Sequence, residues 1–373
     1  MTTETPTPII PDYGGANVRG IVPALLGPGS WADSLPSWFP EPVRHADQVV
    51  LLVLDGLGWD QLQERPDIAP TIAGLTGGRI STVAPTTTAT ALSSIATGLT
   101  PGEHGLIGYR MVLGGEVMNV LQWAVDGEQR RRSQPPERVQ SYPAFLGDPV
   151  PVVTPMELVG SAFSAAHLRG SRPVGWRALS SMPIEIRHQL DDGERLVYAY
   201  YGGVDKIAHE RGFGDFYDAE LRAADRLVGD ILAVLPAGAA LMITADHGQV
   251  EIGPNIVYPS NGLLDHVALQ SGEGRFRWLH AHKGGLDDLL QAATDEFSDT
   301  GWVLSREQMI DERWFGPNLP TPVASRLGDV AVVARELVSY YDPLDSGPFE
   351  LMCRHGSMTS AEVYVPLLAG MAE

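Results

Sequence analysis

The 373-residue chain has one cysteine, Cys353, so it can form no internal disulfide and gives no sign of an oxidising compartment. A lone cysteine of this kind reads as a small buried apolar side chain rather than a reactive thiol. No apolar stretch reaches the length of a membrane span. The start, MTTETPTPIIPDYGG, lacks a basic segment followed by an apolar one, so no secretory leader is legible and a cytoplasmic setting is expected. Basic residues are scarce, 26 against 46 acidic, for a formal net charge of -20. Such a field repels a nucleic-acid polymer, and a small anionic substrate drawn to a locally cationic site is easier to accommodate. No repeat of solenoid period is present either.

Hydrophobic residues make up 44% of the chain, enough for a sizeable core. The run from Gln48 to Leu54 is short and continuously apolar, the mark of a strand buried on both faces, and Asp55-Gly56 follows it. The pattern recurs from Leu196 to Tyr201 before GGVD and from Ala240 to Ala245 before Asp246. Shorter candidate strands are Val150 to Val153 and Asp329 to Val333, and Phe216 to Leu235 has helical spacing. Alternation of strand and helix predicts an α/β fold, one mostly parallel central sheet covered by helices on both faces. Residues 1–373 read as one catalytic domain. The stretches 112–193 and 251–345, richer in Pro, Gly, Trp and charge, are expected to be insertions forming a cap or side wall.

Open parallel sheets bind ligands beyond the carboxyl ends of their strands, where Asp55, Asp205 and Asp246 all fall. Three acids in one crevice repel each other unless a cation sits among them. Asp205 and His209 stand four apart in GGVDKIAHERG and on a helix would share one face; Asp246 and His247 are adjacent in TADHGQ; RHGSM adds His355. Neutral His and ionised Asp suit zinc. In APTTTATALSSIATGLTPGEHG, Pro85 interrupts the preceding structure, Thr88 can cap a helix over Ala89 to Thr97, and Gly98 can stop it. A hydroxyl at such a helix start faces free N–H groups where a phosphate settles; the same pattern also suits an ordinary threonine cap. His280, His282 and Lys283 in WLHAHKGG read either as a phosphate-facing loop or as a surface turn.

Taken in order, VLDGLG, PTTTATALSSIATGLTPGEHG, VDKIAH, ADHG and RHG resemble the motifs of the nucleotide pyrophosphatase/phosphodiesterases of the alkaline phosphatase superfamily, over about residues 48 to 369. The resemblance implies two divalent ions, zinc, one held by Asp205, His209 and His355 and the other by Asp55, Asp246 and His247, with Thr88 touching the second. It implies Thr88 as nucleophile, nine residues before Thr97, and a phosphothreonine intermediate. The implied substrate is a small phosphorylated molecule of nucleotide type, with no membrane partner. Phosphomonoesters and phosphonates are the alternatives within the superfamily, and a catalytically silent metal or anion binder is the alternative outside it. One position departs from the pattern: the family's phosphate-binding Asn, three residues after the nucleophile, is Ala91 here. Arg110 and Arg354 are candidates for an added cation, and Tyr109, Trp123 and Trp176 for an apolar substrate wall.

Overall fold

The Gln48–Leu54 run (β1) is a strand with every residue after Gln48 buried, as its unbroken apolar character requires. The computed structural model describes residues 6–28, 35–343, 345 and 351–372. β1 lies inside a seven-stranded sheet with Thr76–Ser81 (β2), Pro151–Pro155 (β3), Arg172–Trp176 (β4), Leu196–Tyr201 (β5), Ala239–Thr244 (β6) and Tyr364–Met371 (β7), in the order β2-β7-β6-β1-β5-β3-β4. β6, β1, β5, β3 and β4 pair in parallel, and β7 runs antiparallel to both its neighbours. Side chains alternate between faces, so the complete burial of Val49 to Leu54 means that both faces of the sheet are covered. The helix Asp215–Val234 and the helix Met182–Asp191 pack against each other and against the strands, and Thr88–Thr97 packs with Ile21–Leu26 and Ala162–His167. The α/β fold expected from the sequence is therefore present.

Within residues 112–193 the expected insertion is interrupted. Pro151–Pro155, buried throughout, and Arg172–Trp176 are β3 and β4 of the central sheet, because a parallel strand needs only a short apolar run to sit inside it. The part of this segment outside the sheet joins a small four-stranded sheet of Arg110–Leu113, Glu116–Asn119, Ala124–Val125 and Glu128–Gln129. Residues 251–345 hold a separate four-stranded antiparallel sheet, ordered Val267–Glu273, Phe276–Ala281, Val330–Ala334, Gly301–Ser305. Its own core includes Leu279, Leu289, Phe297 and Val332.

A buried ion pair joins this second sheet to the central one. Arg275, in the tight turn between the first two strands of the second sheet, donates from Nε to Glu362 Oε1 at 2.8 Å and from Nη2 to Oε2 at 2.9 Å. Glu362 belongs to the short helix Ser360–Val363 that leads into β7, and both side chains are fully buried. Glu362 also accepts from Ser357 N at 3.0 Å and Thr359 Oγ1 at 2.6 Å, and Arg275 donates to the carbonyls of Glu336 and Val338. Removing one partner would leave the other charge buried without compensation. Arg275→Ala is accordingly expected to destabilise the protein by about 3–5 kcal/mol, read as a fall in the urea midpoint. An unchanged midpoint would show that the pair does not hold the two sheets together.

Candidate active site

Asp55, Asp205 and Asp246 stand beyond the carboxyl ends of β1, β5 and β6, three neighbours in the sheet, which is why residues so distant in sequence meet. Asp205 is in the first turn of helix Gly203–Arg211, and His209 follows one turn later on the same face, with Nε2 3.2 Å from Asp205 Oδ1. His355 Nε2 lies 4.0 Å from the same oxygen. His247 Nε2 lies 3.6 Å from Asp55 Oδ1 and 3.4 Å from Asp246 Oδ2. The His247 and His355 rings stack with centroids 3.6 Å apart.

The hydrogen bonds leave one side of each group bare. His209 Nδ1 donates to the Cys353 carbonyl at 2.7 Å, His247 Nδ1 to Gly248 at 3.0 Å, and His355 Nδ1 to Thr86 at 2.9 Å. Each ring thus turns Nε2 inward, the atom that a metal-binding imidazole offers once it is unprotonated. Tyr200 donates its hydroxyl to Asp55 Oδ2, and Asp246 Oδ1 accepts from Gly56 N at 3.0 Å and His247 N at 3.1 Å. Asp55 Oδ1, Asp205 Oδ1 and Asp246 Oδ2 are buried without a hydrogen-bond partner. Two sets of donors lie close enough to share an ion, Asp205 with His209 and His355, and Asp55 with Asp205 and His247. Asp246 borders the second set through His247. These donors, borderline nitrogen and hard oxygen, fit divalent ions of the zinc type.

Electrostatics agree with that chemistry. Burial, then the charges of Asp246 and Asp205, raise the Asp55 carboxyl well above the ordinary range, and burial likewise raises Asp246. Burial opposes the charge of Asp205, yet His209, helped by His355 and His247, outweighs it and holds that carboxyl below the usual value. Burial also works against a proton on His209, and Asp205 overcomes it, raising the imidazole; burial with His247 and His209 drives His355 well down.

Thr88 opens the helix Thr88–Thr97, but the N-cap is Thr87, with extended backbone (φ -136°, ψ 146°). The expected cap is therefore shifted by one residue, and Thr88 occupies the first helical position, its hydroxyl free of capping and 3.1 Å from the bare Nε2 of His247. Gly98 ends the helix in the left-handed conformation (φ 73°), as its lack of a Cβ allows. Ala91 is buried in the apolar core and offers no donor.

A cavity of about 710 Å³ opens over Thr88, Asp205, His209 and His355. The profile of the type I phosphodiesterase / nucleotide pyrophosphatase family matches residues 49–145 and 176–357. The chain belongs to this family. It is a phosphoester hydrolase of that group. Among curated proteins no sequence matches. Among solved structures, human ectonucleotide pyrophosphatase/phosphodiesterase 5 superposes with a TM-score of 0.66 at 16% identity, over 87% of this chain and 88% of that one. The murine protein gives 0.66 at 14% identity with the same coverage of both chains. An inactive variant of the murine protein in complex with AMP gives 0.65, also at 14% and with the same coverage.

Of the other family-site candidates, Tyr109 lines the cavity, with its hydroxyl accepting from Asn119 at 2.7 Å. Trp123 is fully buried and bonds to the Gln134 carbonyl, and Trp176 packs near Tyr201, so both serve packing. Arg110 is paired with Asp342 at 2.6 Å and Asp345 at 2.7 Å. His280 bonds to Ser271, while His282 and Lys283 lie on an exposed turn away from the cavity. Sequence reasoning missed Glu273, Tyr258 and Tyr341, which also line the cavity. Tyr258 and Tyr341 pack ring to ring at 4.6 Å. No helix among the described residues is long and apolar enough to cross a membrane.

Protons on Asp55, Asp246 and His209, all raised, must leave before an ion can enter, whereas His355 is already neutral. The sign follows: more protons must be displaced as pH falls, so divalent-ion affinity drops with acid. Zinc affinity measured with a competing chelator is expected to fall at least tenfold from about pH 8 to about pH 6. A flat profile would exclude these groups as the ligands.

Proposed function

We propose that the protein hydrolyses phosphodiesters or nucleotide phosphoanhydrides through a covalent phosphothreonine at Thr88. One observation carries the reading: the unpartnered oxygens of Asp55, Asp205 and Asp246 and the inward Nε2 atoms of three histidines gather in one place, with the Thr88 hydroxyl 3.1 Å from His247 Nε2. Asp205, His209 and His355 would hold one divalent ion and Asp55, Asp246 and His247 a second, with zinc the best fit to the donors. When bound, such ions supply positive charge at the attacking and leaving oxygens.

The chain's own part is positioning. The helix start presents Thr88 with its hydroxyl aimed at the donor cluster, and the helix dipole favours the negative charge that builds there. Thr88 Oγ1 forms a bond to phosphorus, the bond to the leaving oxygen breaks, and that oxygen takes up a proton. Water then attacks the phosphothreonine, releasing the phosphoryl product and restoring the Thr88 hydroxyl. The segment 251–345 serves as the side wall of the cavity through Glu273, Gly274 and Tyr341, and Tyr258 and Tyr341 at the wall suit a planar leaving group or base. The AMP complex of the murine relative supports a nucleotide as the class of substrate.

Thr88→Ala is expected to lower kcat by several orders of magnitude and Thr88→Ser to keep part of it, with phosphate label trapped on Thr88 in acid-quenched wild type. Unchanged turnover in Thr88→Ala would move the attack to another group. Matched nitrophenyl substrates are expected to show the diester cleaved with the higher kcat/KM. A monoester preference of about tenfold, roughly 1.4 kcal/mol, would place the enzyme in another branch of the superfamily.

A further inference from the structure

The three buried arginines among the described residues, Arg110, Arg275 and Arg277, are each neutralised by Asp342, Glu362 or Asp345. Arg354 is different. It ends the two-residue strand Cys353–Arg354, one position before His355, and it is the one Arg or Lys among the described residues that line the cavity. Its Nε is buried with no hydrogen-bond partner, and among the described residues no carboxylate pairs with its guanidinium. The guanidinium thus lines the cavity with its Nε side closed off and no carboxylate paired to it, so its place on the wall suits an anion.

The surroundings keep that seat open. A Cβ on Gly274 would lie 3.0 Å from Arg354 Nη1 and 2.1 Å from Ser339 Oγ, so only glycine leaves the guanidinium its room. Glu273, the neighbouring acid, forms no ion pair with it. Burial pushes its carboxyl up to about 8, with a hydrogen bond from Thr87 opposing the rise, and Oε1 has no partner. None of Asp55, Asp205 and Asp246 forms an ion pair with Arg354, which shares the cavity wall with Thr88, so its guanidinium is left to meet a bound molecule.

We propose that Arg354 receives a second phosphoryl group of the substrate, next to the scissile one, and so selects phosphoanhydrides such as nucleoside diphosphates over esters with a single anionic centre. The planar fork of guanidinium suits two phosphate oxygens at once. This rests on the scissile phosphoryl group sitting at Thr88.

The test uses the zinc-loaded, full-length protein and its Arg354→Gln and Arg354→Lys variants, with melting temperatures checked against wild type. For ADP, Arg354→Gln is expected to raise KM at least tenfold and Arg354→Lys less, while the nitrophenyl ester of thymidine monophosphate changes by no more than about twofold. Equal losses on both substrates, or on nitrophenyl phosphate as much as on ADP, would overturn the assignment, as would no change on ADP. Calorimetry supplies a readout independent of turnover: wild type should bind α,β-methylene-ADP at least tenfold more tightly than AMP, and Arg354→Gln should lose that advantage. If wild type turns over neither substrate yet shows this advantage, the hydrolytic reading fails and Arg354 still holds the anion. An advantage retained in Arg354→Gln sinks the role of Arg354 whatever the turnover.

Discussion

Three carboxylates buried in one place govern this structure. Asp55, Asp205 and Asp246 lose water together, and each raises the cost of charging the others. The fold holds their outer atoms with Tyr200, Gly56 N and His247 N, and leaves one oxygen of each bare. The histidines repeat the arrangement, each tied by Nδ1 to a backbone carbonyl with Nε2 turned inward. Backbone and side-chain partners therefore orient Asp55, Asp246 and the three histidines, while the charge balance is left to a ligand of opposite sign. Such preorientation lowers the reorganisation needed on binding.

What could be read in advance followed from local chemistry. β1 and β5 were visible to the residue, because parallel interior strands are unbroken apolar runs followed by glycine-rich turns, and β6 was displaced by only one position. Asp55 and Asp246 were legible because each directly follows such a run, His247 and His355 because each precedes a glycine, and Asp205 and His209 through their four-residue spacing. β2 and β7 escaped notice for the opposite reason: TGGRIS is a glycine-bearing edge strand with much of its length exposed, and YVPLLAGM contains both Pro and Gly. Glu273 and the Tyr258–Tyr341 pair carry no local signal at all, since Glu273 reaches the cavity from the end of a second-sheet strand and the tyrosines through the pairing of Ile256–Val257 with Ser339–Tyr340. Arg110 shows the same limit from the other side, as its neutralisation by Asp342 and Asp345 depends on residues more than two hundred positions away. The one-residue shift of the cap from Thr88 to Thr87 is of a different kind, because adjacent threonines offer the same hydroxyl and only backbone conformation chooses between them.

The second sheet does more than enclose space. Through Arg275 it grips Glu362, and Glu362 also holds Ser357 N, while Ser357 Oγ donates to the Ala334 carbonyl in the second sheet. The segment that carries Arg354 and His355 is thus tied to both sheets within a few residues. Gly356, with φ 126°, lets the chain turn there against Glu273. The placement of His355 and the wall of the cavity are consequently set by one set of contacts.

The position of β7 also orders events during synthesis. This strand, residues 364–371, lies between β2 and β6, so a growing chain that has already made β6 exposes an unpaired strand edge until more than a hundred further residues have left the ribosome. For most of that interval the nascent chain carries all three acids but lacks His355. A divalent ion captured early would meet an incomplete set of candidate ligands, and the open edge is a place for chaperones to act or for neighbouring chains to pair.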